Sequence, residues 1–106
     1  MRPMKIHSMI SLAKHMKITH IVEEGRYGGL SAYMYHLHGF NVTSIEYLPL
    51  DDVTTDLKRL APQVNLVTGN GKDLVPKAVK ELAIDRGVRL AVIFDGTKRY
   101  NAYDTF

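Results

Sequence analysis

Residues Ile21–Ala32 read IVEEGRYGGLSA, and the fold turns on how they are read. Ile21 and Val22 continue a short β-rich run, ITHIVEE. Gly25, Gly28 and Gly29 then break any regular element, and Leu30 opens GLSAYMYHLHG. There Leu30, Tyr33, Met34 and Leu37 recur at helical spacing, and Gly39 ends the segment as a C-cap glycine does. A strand that passes through glycines into a helix is the opening half of a β-α-β unit. Glycine at that joint also lets the backbone come close to a ligand, because no side chain intervenes.

Reading outward, Ile6, Met9, Ile10, Ala13 and Met16 place an amphipathic helix over about Met4–Lys17. NVTSIEYL is a second strand. LDDVTTDLKRLAP is a helix, with Asp51 or Asp52 as N-cap, a stripe of Val53, Leu57 and Leu60, and Pro62 as its stop. QVNLVTG is a third strand. GKDLVPKAVKELAIDRG is a helix with Pro76 in its first turn and Gly87 at its close, and VRLAVIFDG is the most apolar strand. The tail TKRYNAYDTF opens a last helix. The order α-β-α-β-α-β-α-β-(α) predicts an α/β protein in three layers, a parallel sheet with helices on both faces.

The bulk composition fits one such domain. The chain has 106 residues, 45% of them hydrophobic and 24% charged. Net charge is +3, but the basic residues are scattered, which argues against a nucleic-acid partner. There are no cysteines, so disulfides, thiolate metal sites and a cysteine nucleophile are excluded. No run approaches the ~18 apolar residues of a membrane span, and MRPMKIHSMISLAKHMK lacks an apolar stretch of signal-peptide length. The expectation is a cytoplasmic protein that engages no membrane.

In an open parallel sheet, ligands bind beyond the carboxyl ends of the strands. Strand one ends in Glu23-Glu24-Gly25-Arg26-Tyr27-Gly28-Gly29, strand two in Glu46-Tyr47, strand three in Thr68-Gly69-Asn70-Gly71, and strand four in Asp95-Gly96-Thr97. Each end has a plain structural reading: tight-turn glycines, a solvated Glu46, a turn asparagine, a capping Asp95. One bound molecule would account for all four at once. Glu46 follows Gly25 by about 21 residues, near the ~20 of a carboxylate that accepts hydrogen bonds from ribose hydroxyls. The full G-x-G-x-x-G and the P-loop pattern are both missing, so a nucleoside without a diphosphate fits better than a dinucleotide.

These residues resemble the class I S-adenosylmethionine-dependent methyltransferases. IVEEGRYGGLSA is similar to their first motif, E-x-G-x-G-x-G, with Glu23, Gly25 and Gly29 in place and Tyr27 at the middle glycine. The form E-x-G-x-x-x-G-x-S, which Ser31 completes, resembles the macrocin or rhamnosyl O-methyltransferase and cephalosporin-hydroxylase-like branch. TSIEYL looks like the second motif, LVTGNGKDLVP like the third, and LAVIFDGTKRY like the fourth, with Lys98 where histidine is frequent. The resemblance covers about residues 18–106, a Rossmann-like core preceded by the helix of 1–17, the whole being one domain. It implies S-adenosylmethionine as cofactor. The methionine portion would lie by Gly25 and its neighbours Glu23, Tyr27, Gly29 and Ser31, the ribose on Glu46 beside Tyr47, the adenine edge on Asn70. Asp95 would face the substrate as the catalytic residue. Lys98 weighs against a metal there, and no metal ligand is assigned.

The family's sheet has seven strands in the order 3-2-1-4-5-7-6, so the resemblance implies a truncated sheet of about four strands, 3-2-1-4. Strand four, LAVIF, would then be an apolar edge, covered in a longer protein or by pairing of two copies into a homo-oligomer. The expected function is O-methylation of a small hydroxylated molecule, or the cofactor-binding half of such an enzyme. His36 and His38 are weaker base candidates than Asp95. Two alternatives are a non-catalytic nucleoside-binding or assembly module, and a fragment of a NAD-dependent oxidoreductase, which would also use Glu46.

Overall fold

The computed structural model describes residues 3–26 and 29–94. Tyr27, Gly28, Asp95, Gly96, Lys98, Tyr100 and the helix expected in the tail lie outside the described residues. The element order is α1 (Pro3–His15), β1 (His20–Glu24), α2 (Leu30–Leu37), β2 (Asn41–Glu46), α3 (Asp51–Leu60), β3 (Asn65–Thr68), α4 (Gly71–Leu82) and β4 (Leu90–Phe94). The four strands form one parallel sheet in the order β3-β2-β1-β4, the predicted one.

That order fixes where the helices go. The steps from β1 to β2 and from β2 to β3 run the same way across the sheet, and the step from β3 to β4 returns past β1. Crossovers of one hand therefore put α2 and α3 on one face and α4 on the other. The core divides accordingly. Ile6, Ile10 and Ala13 of α1, Tyr35 of α2 and Leu57 of α3 pack on Ile21, Val42 and Ile93. On the opposite face Val75 of α4 packs on Val22 and Ile45. The turn in direction falls between β1 and β4, where an open sheet leaves a crevice beyond its carboxyl ends.

Several boundaries and faces differ from the sequence reading. β2 stops at Glu46, where its pairing with β3 ends at Thr68, so Tyr47 and Leu48 lie beyond the ladder and are exposed. On α2 the buried positions are Ser31, Ala32 and Tyr35, while Leu30 and Leu37 are exposed. The helix is rotated because Ser31 supplies a hydrogen bond to a buried carboxylate, described below. On α3 the N-cap is Leu50, with no side-chain cap, and Asp51 and Asp52 occupy the first turn, where negative charge suits the helix dipole. Its inward positions are Val53 and Leu57, continued past its end by Ala61 and Val64, and Leu60 faces outward. Pro76 lies in the second turn of α4, which ends at Leu82 rather than at Gly87. The proline cannot donate to the carbonyl of Lys72.

The two leucines of α3 test this face assignment. Leu57 is 4% exposed, and Leu57→Ala is expected to cost about 2–5 kcal/mol in urea unfolding. Leu60 is 47% exposed, and Leu60→Ala should stay within about 0.5 kcal/mol of wild type. Equal losses at both positions would refute the assignment.

Candidate functional site

The loop after β1 is tied to the tips of its neighbours. Gly25 N donates to Ile45 O (2.8 Å), Arg26 N to the Glu46 carboxylate at Oε1 (2.9 Å), and Gly69 N to Glu46 O (3.0 Å). Gly25, Glu46, Gly69 and Asn70 therefore share the carboxyl rim of the sheet. Gly29 closes the loop with φ of 81°, its N–H donating to Arg26 O. A Cβ there would come within 3.0 Å of Val53 Cγ1 and 3.1 Å of Leu57 Cδ1, so α3 packs directly against the loop's end. Glycine is required at this position both for its backbone angle and for the space.

Beneath the rim, on the α2 and α3 face, lies a buried polar network. The register sets Glu23 beside Ser44. Glu23 Oε2 accepts from Ser44 Oγ (2.7 Å), and Oε1 accepts from Ser31 Oγ (2.6 Å). Ser44 Oγ in turn accepts from Arg26 Nε (3.0 Å). Arg26 Nη2 donates to Ser44 O (2.7 Å) and to Val67 O (3.1 Å). Glu23, Arg26, Ser31 and Ser44 are all buried. Burial lowers the pKa of Arg26, and Glu23 and Glu46 act in the opposite direction.

Glu24 points to the other face, as alternation along a strand requires. It is buried against the first residue of α4, where a Cβ on Gly71 would collide with its carboxyl group. Its Oε2 is enclosed and has no hydrogen-bond partner among the described residues. Burial, with the neighbouring charge of Glu46, raises the pKa of this carboxyl group above the ordinary glutamate range.

The structure thus brings Glu23, Gly25, Gly29, Ser31, Glu46 and Asn70 to one end of the sheet, though not in one role. Glu23 and Ser31 are bonded to each other below the surface. Glu46 is half-buried at the rim. Tyr47 is 65% exposed just past it. Asn70 caps α4, its Oδ1 accepting from Lys72 N (3.0 Å). Tyr27 and Asp95 lie outside the described residues. His36 and His38 belong to the far end of α2, which leads back to the start of β2, so they sit at the opposite rim. Ser44 and the burial of Arg26 were missed from sequence. The signal for Ser44 was its inward parity with Val42. A groove of about 220 Å³, lined by Ile45, Val67, Leu74 and Ala78 with Lys77 and Glu81, lies on the α4 face rather than on the rim. Among the described residues no three histidine or acidic side chains gather as metal ligands, and no helix is long and apolar enough to cross a membrane.

No family model matches the chain, and no curated protein matches it at a significant level.

Two outcomes are expected from the network. Ser44→Ala leaves a buried carboxylate oxygen and a guanidinium N–H without their shared partner, and should lower the unfolding free energy by about 2–3 kcal/mol. For Glu24, the folded chain holds its proton more tightly than the unfolded chain does. The stability linked to that proton is present at low pH and is lost as pH rises from the ordinary glutamate range through the raised value. Denaturant titrations of Glu24→Gln against wild type between about pH 4 and 7 should therefore show a flatter profile for the variant.

Proposed function

We propose that the chain binds S-adenosylmethionine at the carboxyl rim and acts as a methyltransferase, or as the cofactor-binding part of one, on a small hydroxylated acceptor. The observation that carries the reading is the placement of Glu46. It is the carboxylate at the tip of β2, level with the glycine loop after β1 and held by that loop's own backbone through Arg26 N. Ribose presents two adjacent hydroxyl donors, and a fixed carboxylate beside a glycine turn is the complement of that diol. Gly69 N–H on Glu46 O keeps the turn after β3 beside the same acid, so Asn70 and its backbone border the space a nucleobase would occupy.

The bound cofactor supplies a methyl group on a sulfonium, transferred by in-line displacement. The chain's part is to bind and orient the two reactants. Asp95, the residue after β4, is assigned to the acceptor side, where a carboxylate can take up the proton of a hydroxyl. The resemblance to the O-methyltransferase motifs favours a hydroxylated small molecule as acceptor.

Calorimetric titrations with S-adenosylhomocysteine and with NAD separate this reading from its rivals. Binding of the first alone is expected. Binding of NAD alone would support an oxidoreductase, and binding of neither would leave an assembly module. Glu46→Ala should weaken S-adenosylhomocysteine by about 1–3 kcal/mol, roughly 5- to 150-fold in Kd. An unchanged affinity would remove Glu46 from the site.

A further inference from the structure

Arg26 lies in the glycine-rich loop after β1 and has no role assigned from sequence. The structure gives it a place. Arg26 is 3% exposed, and the bonded atoms of its guanidinium are spent inside the protein. Nε meets the Ser44 hydroxyl, and Nη2 meets two main-chain carbonyls, Ser44 O on β2 and Val67 O on β3. The same residue's N–H holds Glu46 Oε1. One residue thus fixes the spacing of two strand tips with its side chain and the direction of the rim carboxylate with its backbone.

We infer that Arg26 is a positioning residue, a clasp whose guanidinium locks the β2 and β3 tips so that its own N–H presents the Glu46 carboxylate to a ribose diol. The part of this inference that concerns the diol rests on the function proposed above. The clasp itself is a property of the ligand-free chain. A rigid planar fork is needed, because the acceptors lie on two different strands and one of them also serves Glu23 through Ser44 Oγ. Lysine keeps the charge but not the fork. It cannot hold the Ser44 hydroxyl and both carbonyls in the same geometry.

The test is Arg26→Lys, read in two ways. In the ligand-free protein, the amides of residues 26 and 69 are expected to lose about 10-fold or more of their hydrogen-exchange protection, while Val22 and Val42 in the middle of the sheet keep theirs. Protection unchanged at 26 and 69, or lost equally throughout, overturns the clasp. Calorimetry with S-adenosylhomocysteine then gives the coupling. Arg26→Lys should weaken binding about 10-fold on its own, yet add little to Glu46→Ala in the double variant. Additive losses would overturn action through Glu46. If exchange responds as expected and wild type does not bind S-adenosylhomocysteine, the clasp stands and the proposed function falls. Should Arg26→Lys fail to fold, Ser44→Ala removes the Nε bond, together with the Ser44 donor to Glu23, while keeping both carbonyl acceptors, and is read by the same exchange at residues 26 and 69, with the same outcomes deciding.

Discussion

The Ser44 hydroxyl is the constraint on which the rim depends. It stands between two buried charged side chains, donating to Glu23 and accepting from Arg26. Placing either charge in the core without a partner would cost several kcal/mol, a large share of the margin of a small domain. A serine can bridge them because a hydroxyl is donor and acceptor at once. Its position is fixed by register, since Glu23 lies opposite Ser44 in the parallel ladder. A slip of one residue would bring Thr43 or Ile45 there and turn the hydroxyl away. The pairing of β1 with β2 is thus specified by polar chemistry as well as by Ile21 and Val42.

The sequence made some of this legible and hid the rest for definable reasons. Alternation of strands and helices, and the residues that stop them, gave the α/β class and the bounds of most elements to within a residue or two. The strand order came from the resemblance to a known family rather than from periodicity, which says nothing about which strands are neighbours. On α2, hydrophobic spacing chose Leu30, Tyr33, Met34 and Leu37; Tyr33 and Met34 do pack against the core, but Leu30 and Leu37 are exposed and the helix turns Ser31 and Ala32 inward. Periodicity weighs only apolar residues, and the need of Glu23 for a donor outweighed the burial of Leu30 and Leu37. The same blindness hid Ser44, although it shares parity with Val42 and so lay at a core position. Arg26 was beyond reach. Loops carry no period, and its contact with Val67 joins positions 41 residues apart.

Glu23 and Glu24 show how far adjacent acids can diverge. A period of two sends them to opposite faces. One finds two hydroxyls and lies within a serine's reach of a guanidinium. The other meets a glycine backbone and an enclosed space, with one oxygen that has no partner among the described residues. Gly71 is the counterpart of that arrangement, because any side chain there would fall on the Glu24 carboxyl group.

This divergence bears on what the rim can recognise. Counting acids in the sequence gives Glu23, Glu24 and Glu46 within reach of one loop, a charge that would repel an anionic ligand and attract cations. The structure alters the count. Arg26 offsets Glu23 through the Ser44 bridge, and burial biases Glu24 toward its neutral form. Among the described residues, Glu46 is the acid held at the edge itself, by a backbone N–H. Under the function proposed above, an oriented carboxylate beside a glycine turn is the complement of paired hydroxyl donors, whereas phosphate calls for a basic or amide-lined cradle. The basic residue best placed in sequence to serve such a cradle is buried elsewhere, in the clasp that keeps the acid in position.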